Sequence, residues 1–369
     1  MELIEQEERE DYLLIWKVTF DGPFFCFKKN REPAGKPLPF SGEFHWAGRR
    51  WLVPGVYSCR EGLVADLCME MDPEEIRAFQ NKWGLTPENN DESRFGREKL
   101  MAMQAENPFC FSYSPQLMVN GRTLQRSRGC GVGYAPAPLD GIVGTDLEAR
   151  GVVDHYQLDK TKAWYLWRWS FPWEKSEKGW KGLLKQLGAR KLFTLSLRLC
   201  GEPARVPGKP FQAGEPGTKV QLSDPVTGES YTLAVVENEP QTLEDRVPKE
   251  AFPEGWEYPS HFRQLTYTLE PEPTKGAFTL FDCAEGDRPR IGALSQLKTI
   301  TRGAGAASIG IIGGADGPTA IIVSEKGESQ QHHGAVSSLH FQPVEEVDWL
   351  PVFHKKAAED TMVVLKKNV

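Results

Sequence analysis

Hydrophobic and polar residues alternate with period two in several stretches of this chain, and that period predicts strands. The cleanest case is 191–200. There Phe193, Leu195, Leu197 and Leu199 fall on one face and Thr194, Ser196 and Arg198 on the other, as in an antiparallel sheet with one wet face. Residues 12–20 alternate in the same way, and 62–69 form an apolar run. Further strands are expected at 231–236, around Leu265, Tyr267 and Leu269, at Phe278 and Leu280, and at 339–343 and 361–365. Turns punctuate them. Asn120-Gly121 sits between the arms of a hairpin at 117–124, because both residues tolerate the positive φ angles of a two-residue type I′ turn. The stretch 224–228, DPVTG, reads as a turn into the strand at 231.

Helical spacing is rarer. Asp72 can cap a helix, Pro73 suits its first position, and Glu75 stands at a capping-box-like spacing. Ile76, Phe79 and Trp83 then share a face, and Gly84 is placed to end the helix. A second helix is expected over 92–105, before Asn107-Pro108, and a third over 174–187, closed by Gly188. Strands between Pro/Gly turns without βα alternation favour a sandwich over a doubly wound sheet. The expected fold is mainly β with some α (α+β). An N-terminal unit at 1–160 would carry a few short helices. A β-rich, antiparallel sandwich-like unit at 161–369 would carry a Gly/Ala/Ile-rich insertion at 303–334.

Two stretches carry candidate chemistry. In 163–173, Tyr165, Trp167, Trp169, Phe171 and Trp173 recur at period two and share one sheet face. An exposed face of this kind would stack ligands such as sugars, with Trp167, Trp169 and Trp173 as the stacking groups; buried, the rings simply fill the core. The second stretch, 303–323, is GAGAASIGIIGGADGPTAIIV, apolar and glycine-rich in a chain whose mean hydropathy is -0.46. Its single carboxylate is Asp316. Three readings stay open for it: a hairpin turning at Asp-Gly, a mobile insertion left undocked on the surface, or a membrane segment, the last burdened by a charge costing about 3 kcal/mol inside the bilayer. Its glycines miss the third position of the dinucleotide fingerprint, and no Gly-Lys-Ser/Thr follows. On the insertion reading, deleting 303–334 should cost roughly 1–2 kcal/mol, since closure entropy varies weakly with loop length.

The run SIGIIGGADGPTAIIV, 308–323, resembles the signature of the β subunit of sodium-translocating decarboxylases of the oxaloacetate type. That resemblance implies a membrane segment in which Asp316 serves the sodium pathway, with Gly314, Gly317 and Thr319 beside it. It covers a small part of the chain, and no second stretch of roughly 20 apolar residues supplies another span. The flanks at 282–290 and 337–349 are similar to uncharacterised bacterial proteins of comparable length, a similarity that implies no function.

Composition narrows the classes. A net charge of -7 and pI near 5.7 argue against a nucleic-acid partner, and 11% aromatic residues argue against disorder. The acidic N-terminus lacks the pattern of a secretory signal. Seven cysteines without a C-x-x-C pair indicate neither a disulfide framework nor a zinc site. His332, His333, His340 and His354 lie near Glu345, Glu346 and Asp348, but ligation would need three or four to converge. Asp154, His155 and Cys130 have no spacing that marks a nucleophile. The expectation is a cytoplasmic, soluble binding or structural component without catalysis, with no metal or cofactor expected and no partner implied. The alternatives are a hydrolase acting on glycan or peptide and a sodium-linked decarboxylase β-subunit-like component.

Overall fold

A computed structural model describes residues 13–86, 88–89, 94–137, 139, 147–173, 194–243, 255–274, 276–291, 331–356 and 358–367. Antiparallel strands dominate them, grouped into two compact units that interleave along the sequence. The first draws on 1–90, 106–204 and 356–369, the second on 91–105 and 205–355.

The first unit contains β1 (Leu14–Trp16), β2 (Phe25–Phe27), β3 (Lys36–Leu38), β4 (Phe40–Trp46), β5 (Arg49–Ser58) and β6 (Gly62–Met71). It continues with β7 (Tyr113–Val119), β8 (Arg122–Gln125), β9 (Gly129–Tyr134), β10 (Ala163–Pro172) and β11 (Leu195–Gly201), and ends with β22 (Thr361–Val364) and β23 (Lys366–Lys367). Its helices are α1 (Pro73–Trp83) and α3 (Leu147–His155). One sheet runs β23-β4-β5-β6-β10-β9, with β3 also on β5; a second runs β22-β11-β7-β8. β1 and β2 form a separate ribbon. A single apolar cluster joins Trp51, Leu67, Met69, Trp167 and Phe171 of the large sheet to Tyr113, Leu117, Leu195, Leu197 and Leu199 of the small one. The two sheets therefore pack face to face.

The second unit contains α2 (Arg97–Glu106), β12 (Pro203–Pro207), β13 (Phe211–Gln212), β14 (Lys219–Ser223), β15 (Ser230–Thr242) and β16 (Trp256–Glu257). It also holds β17 (His261–Glu270), β18 (Phe278–Asp282), β19 (Arg290–Ile291), β20 (His333–Val336) and β21 (Asp348–Lys356). The sheet β14-β15-β17-β20 shares a core with β18 and β21, through Leu233, Leu265, Tyr267 and Leu269 against Leu280, Trp349 and Phe353.

The expected mainly β, antiparallel architecture is present, and sandwich packing extends to the first unit as well. The division does not fall at 160. β10 pairs along its length with β6, which places it in the first unit, and the second begins at Arg205 while taking α2 from upstream.

Local signals were accurate where backbone chemistry is demanding. Asp72 accepts a hydrogen bond from the Glu74 amide at 3.0 Å, and Gly84 closes α1 at φ 59°. Glu75 is drawn to Arg49 at 2.7 Å instead of back to the cap. Asn120 and Gly121 turn the β7–β8 hairpin at φ 49° and 78°. Other expectations shift. Of the strand expected at 12–20, the described residues 13–20 form strand only in β1. The helix of 92–105 is seen from Arg97, one residue after Gly96. Residues 339–343 form no strand, only a bridge from His340 to His261. The sheet is completed instead by β20, whose first two residues, His333 and Gly334, fall in the stretch expected to be an insertion; Tyr267 pairs with His333 and Leu265 with Ala335. The helix expected at 174–187, Phe193 and the whole 303–323 window, with Gly314, Asp316, Gly317 and Thr319, lie outside the described residues.

Candidate functional site

The three tryptophans singled out for stacking sit on the sandwich side of the large sheet. Trp167 lies parallel to Trp51, 5.4 Å between centroids and 11° between planes, and edge-on to Tyr113 at 5.1 Å. Trp169 is half-buried; its Nε1 donates to the Tyr113 hydroxyl at 2.9 Å, and the Arg126 guanidinium lies 5.0 Å over its ring. Trp173 is buried. Glycines on β9 make room for this packing. A Cβ at Gly129 would come within 2.3 Å of the Trp169 ring, and one at Gly131 within 2.7 Å of Tyr165. These rings belong to the core.

The opposite face of the same two strands holds the most unusual polar group of the first unit. Asp66 of β6 and Arg168 of β10 are cross-strand partners, each side chain only 1% exposed. Arg168 Nε and Nη2 donate to the two Asp66 oxygens, both at 2.8 Å, and Nη1 donates to the Pro23 carbonyl at 2.7 Å. Tyr156 donates to Asp66 at 2.6 Å and shares a hydrogen bond with the Tyr57 hydroxyl at 2.9 Å. The rings of Phe24 and Trp16 lie 4.6 and 4.9 Å from the guanidinium carbon. Burial by itself disfavours the Arg168 charge, but Asp66 outweighs it by attraction and hydrogen bonding and holds the guanidinium more firmly protonated. Burial, reinforced by the Asp66 charge, pushes the Tyr156 hydroxyl far up. The period-two aromatic pattern of β10 marks its odd positions and leaves this even one unmarked. An arginine between Leu166 and Ser170 in a run of tryptophans was the available signal.

In the second unit a cleft of about 480 Å³ has walls that include Asp282, Cys283, Asp287, His340, Glu345 and Asp348. Asp282 is buried, and its two oxygens accept from the amides of Ala284 and Ser338 at 2.7 and 2.9 Å. Asp287 accepts from the Phe341 amide at 2.8 Å and faces His340 at 3.7 Å. Arg263 supports the wall from behind, donating to the Val344 and Glu345 carbonyls. Asp287, Glu345, Glu346 and Asp348 are exposed, so the cleft presents negative charge to solvent. Burial first, then Glu98, Asp282 and Asp348, pushes the Cys283 thiol up to about 11. That is the reverse of the activation a nucleophilic cysteine needs.

The histidines do not gather. His333 stacks on Tyr267 at 5.3 Å and reaches Glu272 at 2.9 Å, His340 lies in the cleft, and His354 shares a hydrogen bond with Thr279 at 2.7 Å. Among the described residues no three His, Cys, Asp or Glu side chains converge as metal ligands. Asp154 pairs with Lys160 at 2.5 Å, His155 stacks on Trp16, and the Cys130 thiol points to the Gly22 carbonyl. No helix among the described residues is long and apolar enough to cross a membrane. Comparison with protein-family models, curated proteins and solved structures found no match.

Proposed function

We propose that the protein is a binding or structural component rather than a catalyst, with the acidic cleft of the second unit as its contact site for a cationic group. The reading is supported by the state of three of the seven cysteines. Cys59 and Cys130 of the first unit and Cys283 in the cleft are all pushed up to about 11, chiefly by burial, so each is held as the unreactive thiol at neutral pH. The buried ionisable groups are likewise spent on struts: Arg168 on Asp66 and Pro23, and Asp282 on two backbone amides.

Two measurements test this. Alkylation by iodoacetamide at about pH 7.5 should modify Cys130 and Cys283 more slowly than a free cysteine peptide, accelerating towards about pH 11. A thiol reacting faster than the peptide would defeat the non-catalytic reading. Calorimetric titration with an oligolysine peptide should show binding that weakens with salt and falls in the double variant Glu345→Gln, Glu346→Gln; equal binding by that variant would remove the cleft from the account. The run GIIGGADGPT supports a second reading, a sodium-linked component using Asp316. It expects a sodium-dependent activity abolished by Asp316→Asn, and an unchanged activity would end it.

A further inference from the structure

The ribbon of β1 and β2, with the residues between them, crosses the Asp66–Arg168 pair as a strap. In neither strand does the backbone ladder extend to the large sheet. What ties the strap down is mostly side-chain chemistry. Arg168 Nη1 donates to the Pro23 carbonyl, the Phe24 amide donates to Glu148 Oε1 at 3.0 Å, and the Asp21 amide donates to Ser170 Oγ at 2.9 Å. The Gly35 amide adds a backbone bond to the Val18 carbonyl at 2.8 Å. Trp16 is the hub. Its indole stacks on the His155 imidazole at 3.7 Å and 17°, meets Phe25 and Tyr156 edge-on at 5.4 Å each, and lies 4.9 Å from the Arg168 guanidinium carbon. One aromatic ring thus touches a permanent cation and a group that can become a second one. His155 is exposed at the end of α3, so a proton can reach it without prior unfolding.

We propose that this strap is a pH-sensitive element: protonation of His155 places a second cation on Trp16 beside Arg168 and loosens the strap from the sheet, while the sheet itself stays folded. The groups around His155 are opposed in sign. Arg168 on β10 repels the imidazolium, and Asp66 on β6 attracts it but is already held by two Arg168 hydrogen bonds. On α3 itself, Asp154 is paired with the following loop's Lys160, and Glu148 is engaged by the Phe24 amide. The hydroxyls of Tyr156 and of Tyr57 on β5 are both neutral, and Lys17 of the strap is committed to the Asn30 carbonyl. The C-terminal end of α3 favours a cation. The balance still lowers the His155 proton affinity, with burial against Trp16 the largest cause. A histidine harder to protonate when docked holds the strap above the ordinary imidazole range of about 6.5, and docking weakens as pH falls through and below it.

Native-state hydrogen exchange, corrected for intrinsic rate, tests this on the whole chain. The Phe24 amide, which ties the strap to Glu148, and the Gly35 amide, which is held by Val18 of the strap, should lose protection roughly three- to tenfold between about pH 7.5 and 5.5, while amides of β6 and β10 do not. His155→Phe, which keeps a ring on Trp16, should abolish the loss, and His155→Gln serves if that variant folds poorly. The proposal is overturned if the wild type shows no selective loss. It is equally overturned if both His155 variants keep it, or if Glu148→Gln alone removes it, which would assign the titration to the carboxylate on the Phe24 amide.

Discussion

On one face of β10, Tyr165, Trp167, Trp169 and Phe171 turn into the sandwich and pack ring against ring. On the other, Trp164, Leu166, Arg168 and Ser170 lie under α3 and the strap, and a charge stands among them. The first face gains stability from apolar area and from close ring packing, which leaves no room for a Cβ at Gly129 or Gly131. The second gains little net energy from its ion pair, because desolvation offsets much of the attraction. What the pair supplies is position. Arg168 stands directly across from Asp66, and a slip of one residue between β6 and β10 would carry Arg168 into the aromatic sandwich without a partner. The comparison separates the residues that make the sheet stable from those that fix which sheet it is.

Breaking the pair on one side should have the largest effect. Asp66→Ala leaves a buried, uncompensated guanidinium and should cost about 3–5 kcal/mol in denaturant unfolding. The double variant Asp66→Leu, Arg168→Met should recover most of that loss. A double variant as unstable as the single one would mean that the pair contributes stability in its own right. On the aromatic face, Trp167→Leu should cost roughly 2–3 kcal/mol, without the rescue that a second substitution gives on the other face. Gly129→Ala drives a methyl into Trp169 and should cost roughly 1–2 kcal/mol; a neutral result would show that β9 can move away from the ring. Tyr156→Phe removes one of the hydrogen bonds to Asp66 and should cost about 1 kcal/mol. It should also leave the Tyr57 hydroxyl free to titrate differently, which ultraviolet absorbance at alkaline pH would read.

Much of the fold was legible because its signals are local. Asp72, Gly84 and Asn120-Gly121 act through their own backbones, and the alternation of Leu195, Leu197 and Leu199 reports a buried face whatever covers it. Partners in space were not legible. Nothing in the spacing of Asp66, Tyr156 and Arg168 says that they meet, since the meeting depends on β6 pairing with β10 and α3 folding over both. The C-terminal end of the stretch expected to be an insertion, 303–334, is strand for a related reason. His333 is polar in sequence but becomes part of β20 once Tyr267 offers it a ring to lie on. The cleft is likewise assembled from 282–287 and 340–348, segments that come together only when β18 lies along β21.

The interleaving of the two units sets an order of events during synthesis. Strands β22 and β23, which occupy positions in both sheets of the first unit, leave the ribosome only after all of 205–355 has emerged. The second unit is therefore complete as a chain while the first still lacks an outer strand in each sheet. The usual progression of domains from the N-terminus onwards is inverted here: the half of the protein begun first is the last to close, and until then its unfinished strand margins are the part of the nascent chain most in need of protection from neighbouring polypeptides.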